Sequence, residues 1–130
     1  MRILIDTHAF LWFVLKDSQL SAKAQGLIAD PNNTVEFSPA SYWEIAIKIS
    51  IGKYTLNEPF QVFMDREIAA NKLKVLAIQV KHVAAVATLP FQPNHKDPFD
   101  RLLIAQAMVE QIPLVSNEAI FDAYPITRLW

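Results

Sequence analysis

Three acidic residues stand where apolar ones would be easier to bury. Asp6 ends the apolar run Arg2–Ile5, Glu44 lies among Tyr42, Trp43, Ile45 and Ile47, and Asp100 heads an apolar stretch beginning at Leu102. An unpaired carboxylate is costly to bury, so such groups are normally ion-paired, hydrogen-bonded or bound to metal. The nearest bases are Lys48, one helical turn beyond Glu44, and Arg101, beside Asp100, too few to neutralise all three. Oxygen-only ligands of this kind suit Mg²⁺ or Mn²⁺ rather than zinc. A hard cation held by carboxylates orients a water and stabilises charge on a phosphoryl group, which is the chemistry of phosphodiester hydrolysis.

Each residue also has a plain structural reading, and at this level both stay open. Asp6 is suited to cap a helix beginning at Thr7 or His8. Glu44 and Lys48 form an ordinary i,i+4 pair. Asp97, directly before Pro98, reads as an N-cap, which leaves Asp100 as one acid more than a helix start requires. His8, His82 and His95 lack metal-ligand spacing. Phe10, Trp12, Phe13 and Trp43 read as core rather than as base-stacking surfaces, and Trp130 as cover for a core edge or a subunit contact.

The elements that must position these residues alternate between strand and helix. Arg2–Ile5 reads as a strand buried on both faces, followed by a buried helix over His8–Leu15, so Asp6 and Thr7 fall at a strand's carboxyl end, where open α/β sheets place ligands. Ser18 or Ser21 caps a helix over Ala22–Ala29. Thr34–Ser38 is the second strand; Pro39 opens a helix to Ile49, stopped by Gly52. A helix follows from Glu58-Pro59 to about Lys72, then a strand over Val75–Ile78 and a helix over Val80–Leu89. After the loop Pro90–Lys96 come a helix over Pro98–Gln111, a strand over Ile112–Ser116, a helical turn over Asn117–Phe121 and an edge strand within Ile126–Leu129. The pattern predicts a single domain over residues 1–130, a three-layer α/β/α fold with a central, mainly parallel sheet.

Composition narrows the function classes. With 52% apolar and 19% charged residues over 130 positions, the chain can bury one sizeable core. The charge is nearly balanced, 12 basic against 13 acidic residues, so nucleic acid would have to be attracted by a local patch or a bound metal. Cys is absent, no apolar run approaches a membrane span, and Asp6 interrupts the N-terminus too early for a secretion signal, so a cytoplasmic location with no membrane role is expected. With two glycines and no GxxxxGK or GxGxxG, a nucleotide cradle is not indicated.

Four segments, ILIDTHAFLW (3–12), SYWEIAIKISIGK (41–53), HKDPFDRLLIAQA (95–107) and IPLVSNEAIFDAY (112–124), together resemble the PIN-domain family, and within it the toxin-type, VapC-like ribonucleases of type II toxin–antitoxin pairs. The resemblance implies a PIN fold and a Mg²⁺- or Mn²⁺-dependent endoribonuclease. It places the family's three acids, as catalytic and metal-binding residues, on Asp6, Glu44 and Asp100, and the hydroxyl residue after the first acid on Thr7. A fourth acid often follows the fourth strand; here that position is Asn117, between Ser116 and Glu118, so Asn117, Glu118 and Asp97 are candidates for supporting roles. Lys48 and Arg101 are candidates for contacts to the RNA backbone. The resemblance further implies a small antitoxin partner and a homodimer, with which the plentiful apolar surface is consistent. Two other readings exist. One is a PIN-like RNA- or protein-binding module without activity, supported by Asn117. The other is a haloacid-dehalogenase-type phosphatase with Asp6 as nucleophile, disfavoured because His8 stands where that family has a second aspartate.

Overall fold

The strand order β3-β2-β1-β4-β5 puts the first strand of the chain at the centre of a five-stranded sheet. The computed structural model describes residues 1–130. β1 (Arg2–Ile5) pairs with β2 (Thr34–Phe37) on one side and β4 (Leu114–Val115) on the other; β3 (Lys74–Val75) and β5 (Arg128–Leu129) form the edges. Every pairing is parallel, so "mainly parallel" becomes wholly parallel.

Side chains of β1 alternate between two cores, as the two-residue period of a strand requires. Ile3 and Ile5 pack with Phe10, Val35, Phe37, Ile45 and Phe63 on one face. Leu4 packs with Leu103, Ile104, Leu114 and Phe121 on the other. The first core is closed by α1 (Thr7–Val14), α2 (Ala22–Ala29), α3 (Pro39–Ser50) and α4 (Phe60–Ala70), and the second chiefly by α6 (Pro98–Glu110), against which α5 (Val80–Thr88) packs. This is the expected three-layer arrangement. No helix is long and apolar enough to cross a membrane.

Local chemistry fixes the helix starts. The Ala24 N–H donates to Ser21 Oγ at 3.0 Å, which selects Ser21 over Ser18 as the cap of α2. The Ala40 N–H donates to Ser38 Oγ at 3.1 Å, with Pro39 opening α3. Asp97 Oδ1 accepts from the Asp100 N–H at 3.0 Å, with Pro98 in the first turn of α6. Gly52, at φ +79°, turns the chain just after α3 in a conformation that suits glycine.

Several boundaries differ from expectation; β4, for one, covers Leu114–Val115 rather than Ile112–Ser116. β3 covers Lys74–Val75 rather than Val75–Ile78: these two pair with Glu36 and Phe37 on β2, and the Leu76 N–H makes a further bond, to Phe37 O at 2.9 Å. Helix α4 begins at Phe60, after an N-cap Pro59 that offers no side-chain acceptor. The turn after β4 is a 3₁₀ helix over Ala119–Ala123, leaving Asn117 and Glu118 in an exposed approach to it. Trp43 also departs from expectation: it is 65% exposed, not core.

Candidate active site

The strand order reverses between β1 and β4, and in open α/β sheets that switch point is where ligands bind. Asp6 lies there, immediately after β1, its backbone N–H donating to Val115 O at 3.1 Å. Its Oδ1 accepts from the Ala9 N–H at 2.8 Å, so Asp6 is the N-cap of α1. The carboxyl is buried, and burial pushes its pKa up to about 6; the Ser116 hydroxyl and the Ala9 N–H work against that rise, while the charge of Glu118 adds to it. Glu118 thus acts electrostatically on Asp6. Its own N–H donates to Ser116 Oγ at 3.0 Å, a bond that pins the start of the turn after β4.

Glu44 is brought to the same region by Thr7. The Thr7 hydroxyl donates to Glu44 Oε1 at 2.6 Å and lies 2.9 Å from Ser41 Oγ. A hydroxyl has one proton, so with that proton on the carboxylate the Ser41 hydroxyl is the donor to Thr7. The other Glu44 oxygen, Oε2, sits 3.5 Å from Lys48 Nζ. The i,i+4 pair therefore exists alongside the Thr7 bond. Burial pulls the Lys48 ammonium down, but Glu44 and Tyr54 outweigh it and raise its pKa above the ordinary lysine value.

Asp100 heads α6, and its Oδ2 lies 3.0 Å from His95 Nε2. Burial pushes the Asp100 pKa up to about 6; the charges of Asp97 and Glu44 add to this, and the His95 hydrogen bond opposes it. The influence of Glu44 links α3 to α6, as does the edge-on contact of Trp43 with Phe99, ring centroids 5.3 Å apart. These residues directly precede Glu44 and Asp100.

Glu44 and Asp100 thus sense each other's charge, Asp6 answers instead to Ser116, Ala9, His8 and Glu118, and no group of three His, Asp or Glu side chains is placed to hold an ion outright. Glu44 is drawn toward Thr7 and Lys48, and Asp100 toward His95. The donors are all oxygen, and two carboxyls are destabilised as anions by burial. That set fits an ion such as Mg²⁺, which keeps most of its waters and takes one or two carboxylates.

Arg101 does not join this site. It is buried, donating to Leu89 O at 2.6 Å and Pro90 O at 3.1 Å, with its guanidinium 4.0 Å from the Phe91 ring centroid. An RNA-contacting role does not fit a side chain already spent on the loop before α6. Asn117 is exposed, and Asp97 spends Oδ1 on its cap while its charge bears on Asp100. Sequence reasoning missed His95, Ser41 and Ser116. Only Ser116 carried a signal, its place at the end of a strand; His95 and Ser41 are read through the partners that the fold brings them.

Solved structures give the same architecture. VapBC2 from Rickettsia felis, described as bound to a DNA fragment from its promoter, matches with a TM-score of 0.75 and 19% identity, covering 100% of this chain and 99% of that one. FitAcB from Neisseria gonorrhoeae matches with a TM-score of 0.68 and 14% identity, covering 98% and 96%. VapBC-1 from nontypeable Haemophilus influenzae matches with a TM-score of 0.67 and 15% identity, covering 99% and 97%. Identities this low speak for the fold. No curated protein sequence matches the chain. The PIN domain profile, however, matches residues 3–126, nearly the whole length. On that match, and with a wholly parallel sheet carrying Asp6 at its switch point, the chain belongs to the PIN domain family.

Proposed function

We propose that the protein is a divalent-metal-dependent endoribonuclease that hydrolyses RNA phosphodiester bonds, with Asp6, Glu44 and Asp100 as its site acids. The observation that carries this reading is that Asp6, buried at the switch point, and half-buried Asp100 at the head of α6 are both pushed up to about 6, with Lys48 paired to Glu44. At neutral pH both are largely ionised yet poorly solvated, so each gains from a nearby positive charge. Mg²⁺ or Mn²⁺, held by these acids, supplies compensation for the phosphoryl oxygens and lowers the pKa of water. Thr7 and Ser41 hold the Glu44 carboxylate in place. Lys48 offers a charge to the phosphate backbone, and exposed Trp43 offers a face on which an unpaired base can stack. Asn117 and Glu118 border the site, and the charge of Glu118 bears on Asp6.

The likeness to the VapBC and FitAcB structures supports a toxin of a type II toxin–antitoxin pair with a small antitoxin as partner; a homodimer in the cytoplasm is the assembly that goes with this reading. A cleft of about 310 Å³ between α1 and α3 is lined by His8, Leu11, Trp12, Ile45 and Ile49, and its apolar walls suit a peptide segment of such a partner.

The test is cleavage of total RNA by purified protein with Mg²⁺ or Mn²⁺. EDTA abolishes cleavage, and Asp6→Asn and Asp100→Asn each abolish it while the fold survives. Wild-type cleavage by both variants would overturn the assignment. A second reading, a PIN-type binding module without hydrolysis, draws on Asn117, an exposed amide at the position of the family's fourth acid. A thermal shift with Mn²⁺ but no cleavage of any RNA would establish it.

A further inference from the structure

We propose that His95, locked by Tyr124, is a positioning residue that aims the Asp100 carboxylate, an inference resting on the reading of Asp100 as a site acid. His95 sits in the loop between α5 and α6. Its backbone closes a tight turn, the His95 N–H donating to Gln92 O at 3.2 Å, with Pro93 and left-handed Asn94 (φ 61°) between them. The ring is buried against two aromatic neighbours, its centroid 5.8 Å from Phe121 and 5.5 Å from Tyr124. Both nitrogens are used: Nδ1 is 2.7 Å from the Tyr124 hydroxyl and Nε2 is 3.0 Å from Asp100 Oδ2.

These two contacts constrain the protons. A carboxylate only accepts, so the proton facing Asp100 belongs to His95 Nε2. In the singly protonated ring Nδ1 is then bare and takes the Tyr124 O–H. Tyr124 thereby selects the imidazole tautomer that donates to Asp100, the arrangement by which an outer partner sets a ring's orientation and role. The Asp100 carboxylate is held by one oxygen, Oδ2, while Oδ1 takes none of the protein's hydrogen bonds and stays available. The chain Tyr124–His95–Asp100 also joins the segment after β4 to the head of α6. The same segment reaches Asp6 through Ser116. A histidine serving only to fill space among Phe121 and Tyr124 would have no need to face a half-buried carboxylate.

The experiment uses full-length protein, Mn²⁺ and a labelled single-stranded RNA that the wild type cuts. Tyr124→Phe keeps the packing and removes the lock; His95→Gln keeps an amide N–H for Asp100; His95→Phe keeps the bulk and loses both bonds. Asp100→Asn serves as reference. We expect kcat to fall about tenfold to a hundredfold for His95→Phe, with KM little changed, and His95→Gln to recover part of it. Mn²⁺ affinity, measured by calorimetry without RNA, should fall in the same order. In ¹⁵N spectra the wild-type ring should show a single tautomer, protonated at Nε2, and Tyr124→Phe a mixture. If His95→Phe folds and matches the wild type in kcat and Mn²⁺ affinity while Asp100→Asn is dead, the positioning role is overturned and the site reading stands. If Asp100→Asn is also fully active, the site reading itself is wrong. If His95→Phe fails to fold, Tyr124→Phe decides: unchanged kcat, Mn²⁺ affinity and tautomer would overturn the proposal.

Discussion

The Thr7 hydroxyl donates to Glu44 Oε1 at 2.6 Å, tying the first turn of α1 to α3 through two buried residues. A hydrogen bond to a charged group contributes about 1.5–3 kcal/mol, so Thr7→Val should destabilise the fold by about that much. It leaves Glu44 with Lys48 alone and Ser41 without its acceptor. Thr7→Ser should restore most of the stability and the cleavage. Urea unfolding of the three proteins beside RNA cleavage rates checks both effects.

Asp6 combines a structural and a chemical role, and pH separates them. Its folded pKa of about 6 lies above the ordinary 3.8, so the folded state holds the proton more tightly. The resulting stabilisation is fully present below about pH 4 and disappears as pH rises through 6, a loss of at most about 3 kcal/mol. Asp6→Asn keeps a capping side chain and cannot ionise, so it should melt above the wild type at pH 7.5 and level with it near pH 4. Asp6→Ala also loses the cap, worth about 1 kcal/mol. Both should be inactive. Thermal melts across pH 4–8 would refute this account if Asp6→Asn melted below the wild type at pH 7.5.

The two bases near the acids should behave differently. Arg101→Met leaves the Leu89 and Pro90 carbonyls without their donor and should lower stability on the order of 2–4 kcal/mol. Lys48→Gln should change stability by about 0.5 kcal/mol or less. It should instead reduce the slope of log affinity for single-stranded RNA against log salt by about 0.7, the share of one phosphate contact. Filter binding at several salt concentrations measures that slope.

Glu118 raises the Asp6 pKa through its charge, so Glu118→Gln should lower that pKa and weaken Mn²⁺ binding. Asn117→Asp adds a carboxylate at the exposed position just before it. One extra charge in partly solvated surroundings is worth about 1 kcal/mol, about fivefold in affinity. Calorimetric Mn²⁺ titration of the two variants should show opposite changes.

The fold was legible where local chemistry decides. Apolar runs marked β1 and β2, and Ser38-Pro39 and Asp97-Pro98 marked the starts of α3 and α6. β3 was misplaced because its extent is set by pairing with Glu36 and Phe37, a tertiary matter. Arg101 read as a free charge because its partners are backbone carbonyls, which no sequence pattern displays. Trp43 read as core because its apolar neighbours do not reveal which way the helix face turns. His95 was hidden for a similar reason: a lone histidine in a proline-containing loop acquires meaning only when Tyr124 and Asp100 close around it.

The central position of β1 has a consequence for synthesis. Leu4 pairs with Leu114 and Ile5 with Val115, so β1 waits for β4, which is made much later. Closing so long a loop precedes any reward from the contacts within it, which favours late and slow assembly. On the ribosome, Asp6 cannot meet Ser116, nor Asp100 its Tyr124-braced histidine, until the segment after β4 has been made. For the ribonuclease proposed above, that order of events would keep the message being translated out of reach until the segment after β4 has been made.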